Sequence, residues 1–222
     1  MILHNQILQT VIKHFPAVMP YLSVETRDAM KAAPGYEGVR NTYWAIIYDA
    51  VYDYLTGNQM VTSFRNAMKK GAADAFIGAA EIGYEAGGGE LPMDDDTLAW
   101  LGGEQTAEFG HVDDLFARLK EEWDGIDPIH EAFTRADGYT GRLDALYGEA
   151  KMRGAKNIML TWHLGETEKH CDTCLELNGN SHKISWYIDR DYIPRKPGAG
   201  MDCHGYNCDC SLTDKNGNEY TT

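Results

Sequence analysis

Cys171, Cys174, Cys203, Cys208 and Cys210 are the five cysteines of the chain, and none occurs before residue 171. A thiolate can act as a nucleophile, a redox centre or a soft metal ligand. Cys171-Asp172-Thr173-Cys174 is a C-x2-C pair, a spacing that lets two thiolates converge on one ion from a tight turn. After 28 further residues, Cys203-His204-Gly205-Tyr206-Asn207-Cys208-Asp209-Cys210 offers a second half, with Gly205 permitting a sharp reversal. Two ligands from each half make a closed tetrahedral S4 site, the usual form of structural zinc. The expected ligands are Cys171, Cys174, Cys203 and Cys208. Cys210 is the alternate to Cys208, because positions two apart share one side of an extended segment. His170 and His204 are further alternates. As lone histidines beside cysteines they read rather as surface groups or as hydrogen-bond partners of the ligands.

Other uses of these residues fit less well. Buried, unliganded cysteines would be scattered through a core rather than gathered in one stretch. A redox C-x2-C wants a helix N-terminus in a βαβ context, and no such alternation is visible. A fully thiolate site has no open coordination position, so hydrolysis at the metal is disfavoured. No Ser-His-Asp arrangement, phosphate-cradling glycine loop or H-E-x-x-H occurs, and Gly87-Gly88-Gly89 lacks the Gly-Lys-Ser/Thr of a phosphate loop. Asp94-Asp95-Asp96 lacks the ligand spacing of a calcium loop and suits the positive end of a helix.

The elements that carry the cysteines differ from those before them. Residues 1–154 read as a helical domain with a break at 86–92, and residues 155–222 as a cysteine-rich module of short strands and turns, an α+β chain overall. Helical stripes are expected at Asn5–Phe15, Ser23–Ala33, Gly38–Leu55, Val61–Tyr84, Thr106–Trp123 and Ile129–Lys151. The aromatic set around Tyr43, Trp44 and Tyr48 has only Arg40 interleaved, so core or protomer contact is expected rather than base stacking. The stretch from Ala67 to Gly83 is rich in alanine and glycine, which lets helix backbones approach closely. Ile158–Trp162 is a short β-rich run, and Gly179, Gly198, Gly205 and Gly217 mark turns.

Charge narrows the partners. The net charge is −14, and it is concentrated in residues 1–150, where 11 Lys/Arg face 24 Asp/Glu. An acidic body repels phosphate, so non-specific DNA wrapping is disfavoured. No apolar run approaches the ~20 residues of a membrane span. No basic segment followed by an apolar stretch opens the sequence, so a reducing cytoplasm is the expected setting.

From Trp162 to Leu212 the sequence resembles the C-terminal domain of the phage Mu F-type head-morphogenesis proteins, also called minor capsid proteins. The resemblance rests on an ordered set: Cys171, Cys174, Leu177, Gly179, Pro197-Gly198, Cys208-Asp209-Cys210 and Leu212. Two positions depart from the family pattern. A cysteine stands where relatives place a histidine ligand, and Asp209 replaces the usual arginine. A helical region before a zinc-type module also resembles that family's layout. The resemblance implies a non-enzymatic, minor structural protein of a phage or prophage particle that acts in head morphogenesis, with zinc-ribbon-like structure in its C-terminal module. It implies portal or capsid proteins as partners, with homo-oligomerisation as a further option. It implies residence in the host cytoplasm during assembly and then in the virion, in the head interior or portal region.

Two other readings remain open at this level. One is a zinc-stabilised nuclease of the His-Asn-His type, with His182 and either Asn178 or Asn207 as catalytic groups, although no Asp-His or His-His pair precedes them on a strand. The other is an intracellular adaptor that binds protein through the zinc ribbon.

Overall fold

The computed structural model describes residues 34–55, 61–121, 128–155, 157–206 and 208–220. Four long helices come first: α1 (Gly35–Leu55), α2 (Val61–Gly87), α3 (Asp95–Glu121) and α4 (Pro128–Gly154). They are followed by β1 (Met159–His163), α5 (Asp172–Leu177), β2 (Ser181–Lys183), α6 (Ile184–Asp189) and β3 (Ser211–Thr213). The chain is α+β, mostly helical, with a three-stranded antiparallel sheet of order β2-β1-β3. No helix among the described residues is long and apolar enough to cross a membrane. The stripes expected at Asn5–Phe15 and Ser23–Ala33 lie outside the described residues.

The acidic triplet starts α3. Asp94 Oδ1 accepts the Thr97 N–H at 2.8 Å, a capping bond that satisfies one orphan donor, and Asp95 and Asp96 occupy the first turn. The helix expected from Thr106 is the second half of this longer one. Gly102 and Gly103, which lie between the two stretches, are inside α3 on an exposed side, where an added Cβ would have open space.

Two compact units divide the chain. Among the described residues, the first joins those from 34 to 75 to those from 106 to 140. Tyr43, Trp44 and Tyr48 are buried in its core with Ile47, Phe64 and Met68, which accounts for the aromatic set. The Tyr43 hydroxyl donates to the buried Glu108 carboxylate at 2.6 Å.

The second unit joins Phe76–Gln105 to Gly141–Thr222. Its helix pair explains the small residues of α2. A Cβ on Gly83 would meet the Tyr147 carbonyl, one on Gly87 would strike the Lys151 carbonyl, and one on Gly154 would strike the Tyr84 carbonyl. Glycine inside a helix costs about 0.5–1 kcal/mol relative to alanine. Here backbone-to-backbone packing of α2 on α4 requires it.

The sheet completes this unit. Leu160 and Trp162 alternate along β1 and are fully buried, with His182 of β2 opposite Leu160 and Leu212 of β3 opposite Trp162. They pack with Met152 of α4 and with Tyr187, Ile193, Met201, Cys174 and Cys210 in one core. After Trp162 the sequence predicts only strands and turns, and the structure adds two short helices. Helices α5 and α6 have six residues each, too few turns for an apolar period to stand out.

Candidate metal centre

Helix α5 places the first two thiols. Cys171 is its N-cap residue and Cys174 lies one turn on, with the Leu175 N–H bonded to the Cys171 carbonyl at 3.1 Å. The expected tight turn is therefore the first turn of a helix. A helix N-terminus is also where a redox thiolate would stand, but here the neighbouring sheet is antiparallel throughout.

A second turn presents Cys203. His204 and Gly205 both take positive φ, 49° and 71°, and the Tyr206 N–H closes back on the Cys203 carbonyl at 3.0 Å. A Cβ on residue 205 would collide with the Lys196 carbonyl oxygen, so glycine is needed twice over, for φ and for space. The third segment, Cys208 to Cys210, runs into β3 and ends buried. Asp209 anchors it from outside: Arg195 Nη2 donates to its carboxylate at 3.0 Å and the Glu166 N–H at 3.3 Å.

These segments bring all five sulfurs into two overlapping groups. The Sγ atoms of Cys171, Cys174 and Cys203 lie within 4.8 Å of one another, and so do those of Cys174, Cys208 and Cys210. Of the four expected ligands, Cys171, Cys174 and Cys203 share one group, and Cys208 joins Cys174 in the other beside the alternate Cys210. Neither group contains a histidine. His170 Nδ1 instead meets the Thr167 hydroxyl at 3.2 Å, and His204 Nδ1 meets the Ala199 carbonyl at 3.3 Å.

Backbone amides face the sulfurs. Cys171 accepts from the N–H groups of Cys174 and Cys203, Cys203 from Gly205, Cys208 from Arg195 and Cys210, and Cys210 from Gly165. Such donors stabilise thiolate over thiol. Burial pushes Cys171 up, but the amides and neighbouring thiols outweigh it and hold it below its ordinary value. Burial keeps Cys174 and Cys203 high. The Cys210 thiol donates to Cys208, which lowers Cys208 and raises Cys210. Five sulfurs crowded together and lined with N–H donors fit a soft, thiophilic cation, whose charge would remove the repulsion between ionised neighbours.

Asp202 was not legible in the sequence as part of this site. Its carboxylate accepts the Thr173 N–H at 3.0 Å and the Thr173 hydroxyl at 2.6 Å. It thereby caps α5 between Cys171 and Cys174 from the residue next to Cys203. Thr173 holds its carboxyl below the usual range. A carboxylate reaching 29 positions back leaves no local sequence signal.

Two of the residues named for a nuclease, His182 and Asn178, make other contacts. The His182 ring stacks on Trp186 with centroids 3.8 Å apart, and the Arg190 guanidinium lies 4.3 Å from the same indole. Asn178 Oδ1 accepts the Leu164 N–H at 3.4 Å, and Asn207 lies outside the described residues.

No protein-family model, curated protein or solved structure matches this chain.

Proposed function

We propose that this protein is a non-enzymatic, structural component of a phage or prophage particle, whose C-terminal module, residues 155–222, is stapled by a structural zinc ion. The observation that carries the metal part is the meeting of five thiols from three separate segments, with amide donors turned toward them. Zinc is the ion that a closed, all-sulfur site in a small module takes most readily. In zinc-finger peptides such binding contributes on the order of 10 kcal/mol to folding. The module is zinc-ribbon-like in joining a C-x2-C to a distant cysteine cluster beside a small antiparallel sheet.

The particle role is supported by the ordered set of Cys171, Cys174, Gly179, Pro197-Gly198, Cys208-Asp209-Cys210 and Leu212. The module docks the protein onto a portal or capsid protein during head assembly, and the helical region supplies further protein contacts. The net charge of −14 favours protein partners over DNA. The test is mass spectrometry of purified particles, with zinc measured on the isolated chain. A few copies per particle and bound zinc are expected. Absence from particles would end the virion role while leaving the metal centre standing.

A further inference from the structure

Five thiols meet where one tetrahedral ion takes four. Cys171, Cys174 and Cys203 form one group, and the most buried of them, Cys174, also belongs to the group with Cys208 and Cys210. Cys171 and Cys203 belong only to the first group and Cys208 and Cys210 only to the second, so a fourth sulfur beside Cys171, Cys174 and Cys203 is offered twice. Both contenders lie within 4.8 Å of Cys174 and of each other. Each is backed by an amide from a different part of the chain, Arg195 for Cys208 and Gly165 for Cys210. Asp209, between them, is tied to Arg195 and to the Glu166 N–H, which holds the segment between its two contacts.

Two complete ions do not fit this donor set. Even with Cys174 bridging, five sulfurs make six bonds, short of the eight that two tetrahedral ions need. Both neighbouring histidines are bonded elsewhere at Nδ1, and neither joins a sulfur group.

We infer that the centre holds one ion, with Cys171, Cys174 and Cys203 fixed and the fourth position passing between Cys208 and Cys210. This rests on the metal-centre reading above. In each exchange the incoming thiol gives up its proton, the outgoing thiolate takes one, and the metal keeps four sulfurs and the same charge. The module therefore always carries one free thiol beside a filled site, and the ion leaves through a state already used in exchange.

The test uses the full chain and its C208S, C210S and C208S/C210S variants, with Co(II) as the probe. Each single variant is expected to bind one ion with the absorption spectrum of four thiolates. Affinity should fall about twofold where the two states are equally populated. The double variant should lose the four-thiolate spectrum. One single variant losing that spectrum while the other matches the unmodified chain would overturn the exchange, as would two ions per chain. A second measurement needs no substitution. In the chain loaded with cadmium-113, scalar coupling to the metal should reach the β-protons of all five cysteines, and coupling to only four refutes exchange. An unmodified chain that binds no thiophilic ion refutes the metal reading itself, which is a separate result.

Discussion

Lys196 Nζ lies 2.8 Å from Glu149 Oε2, joining the cysteine module to α4 across 47 positions of sequence. Glu149 is only 3% exposed at its side chain, and Arg153 holds its other oxygen at 2.7 Å. Lys196 also meets Asp191 at 3.0 Å and Glu104 at 3.2 Å. The loop that supplies Gly205 with its carbonyl neighbour is thus fixed by charge.

Lys196→Met is expected to lower the unfolding free energy by about 3 kcal/mol, the lower end for a broken buried pair, since Arg153 still faces Glu149. Burial would depress this lysine, but Glu149, Glu104 and Asp191 outweigh it and raise it above its ordinary value. A raised folded value means that the contribution is complete below about pH 10.5 and is lost as pH rises further. Urea unfolding of both proteins from pH 7 to 11 checks this. The gap between them should narrow only at the alkaline end.

Gly205→Ala and Gly217→Ala share a positive φ, 71° and 81°, but only the first meets a carbonyl. Gly217→Ala should cost about 1 kcal/mol, the strain of a left-handed alanine. Gly205→Ala should cost clearly more and loosen the Cys203 turn. Thermal melts with metal titration of both variants compare them. Equal losses would mean that the Lys196 loop yields freely.

Asp202→Ala uncaps α5 between Cys171 and Cys174 without removing a sulfur. Zinc affinity should fall about tenfold, in the range seen for groups that orient ligands. The carboxyl is held low, so its support is present above its unfolded value near 3.8 and lost as pH falls through the lower folded one. The difference from the unmodified chain should persist at pH 6. Competition with a chelator of known affinity measures it.

Trp162 is fully buried against the cysteine-bearing core, and its indole N–H finds no acceptor among the described residues. Trp162→Phe therefore breaks no hydrogen bond there. Chelating the metal should shift tryptophan emission to longer wavelength, and this shift should be largely lost in Trp162→Phe. Helical circular dichroism should survive chelation in both, because α1 to α4 contain no cysteine.

The five sulfurs were legible because residue type and spacing alone announce thiolate chemistry. The long helices were legible from apolar period, and the turns at Gly179, Gly198, Gly205 and Gly217 from residue type, each taking positive φ. The union of two expected stretches into α3 was not, since glycines on an exposed helix face look like breaks in a string of letters. Helices α5 and α6 were hidden by brevity. Asp202, Arg195 and Gly165 were hidden by distance, because their roles exist only once three segments have met. At Gly165 an added Cβ would strike the Asp209 carbonyl.

The contact of Gly154 with the Tyr84 carbonyl bears on how force travels. Two helices touching main chain to main chain have no intervening side chains to change rotamer, so a push on one is felt by the other without slack. The strand that leads into the sulfur cluster begins only five positions beyond that contact, at Met159. A tug on the cysteine-bearing end would reach the α2–α4 pair as a rigid displacement.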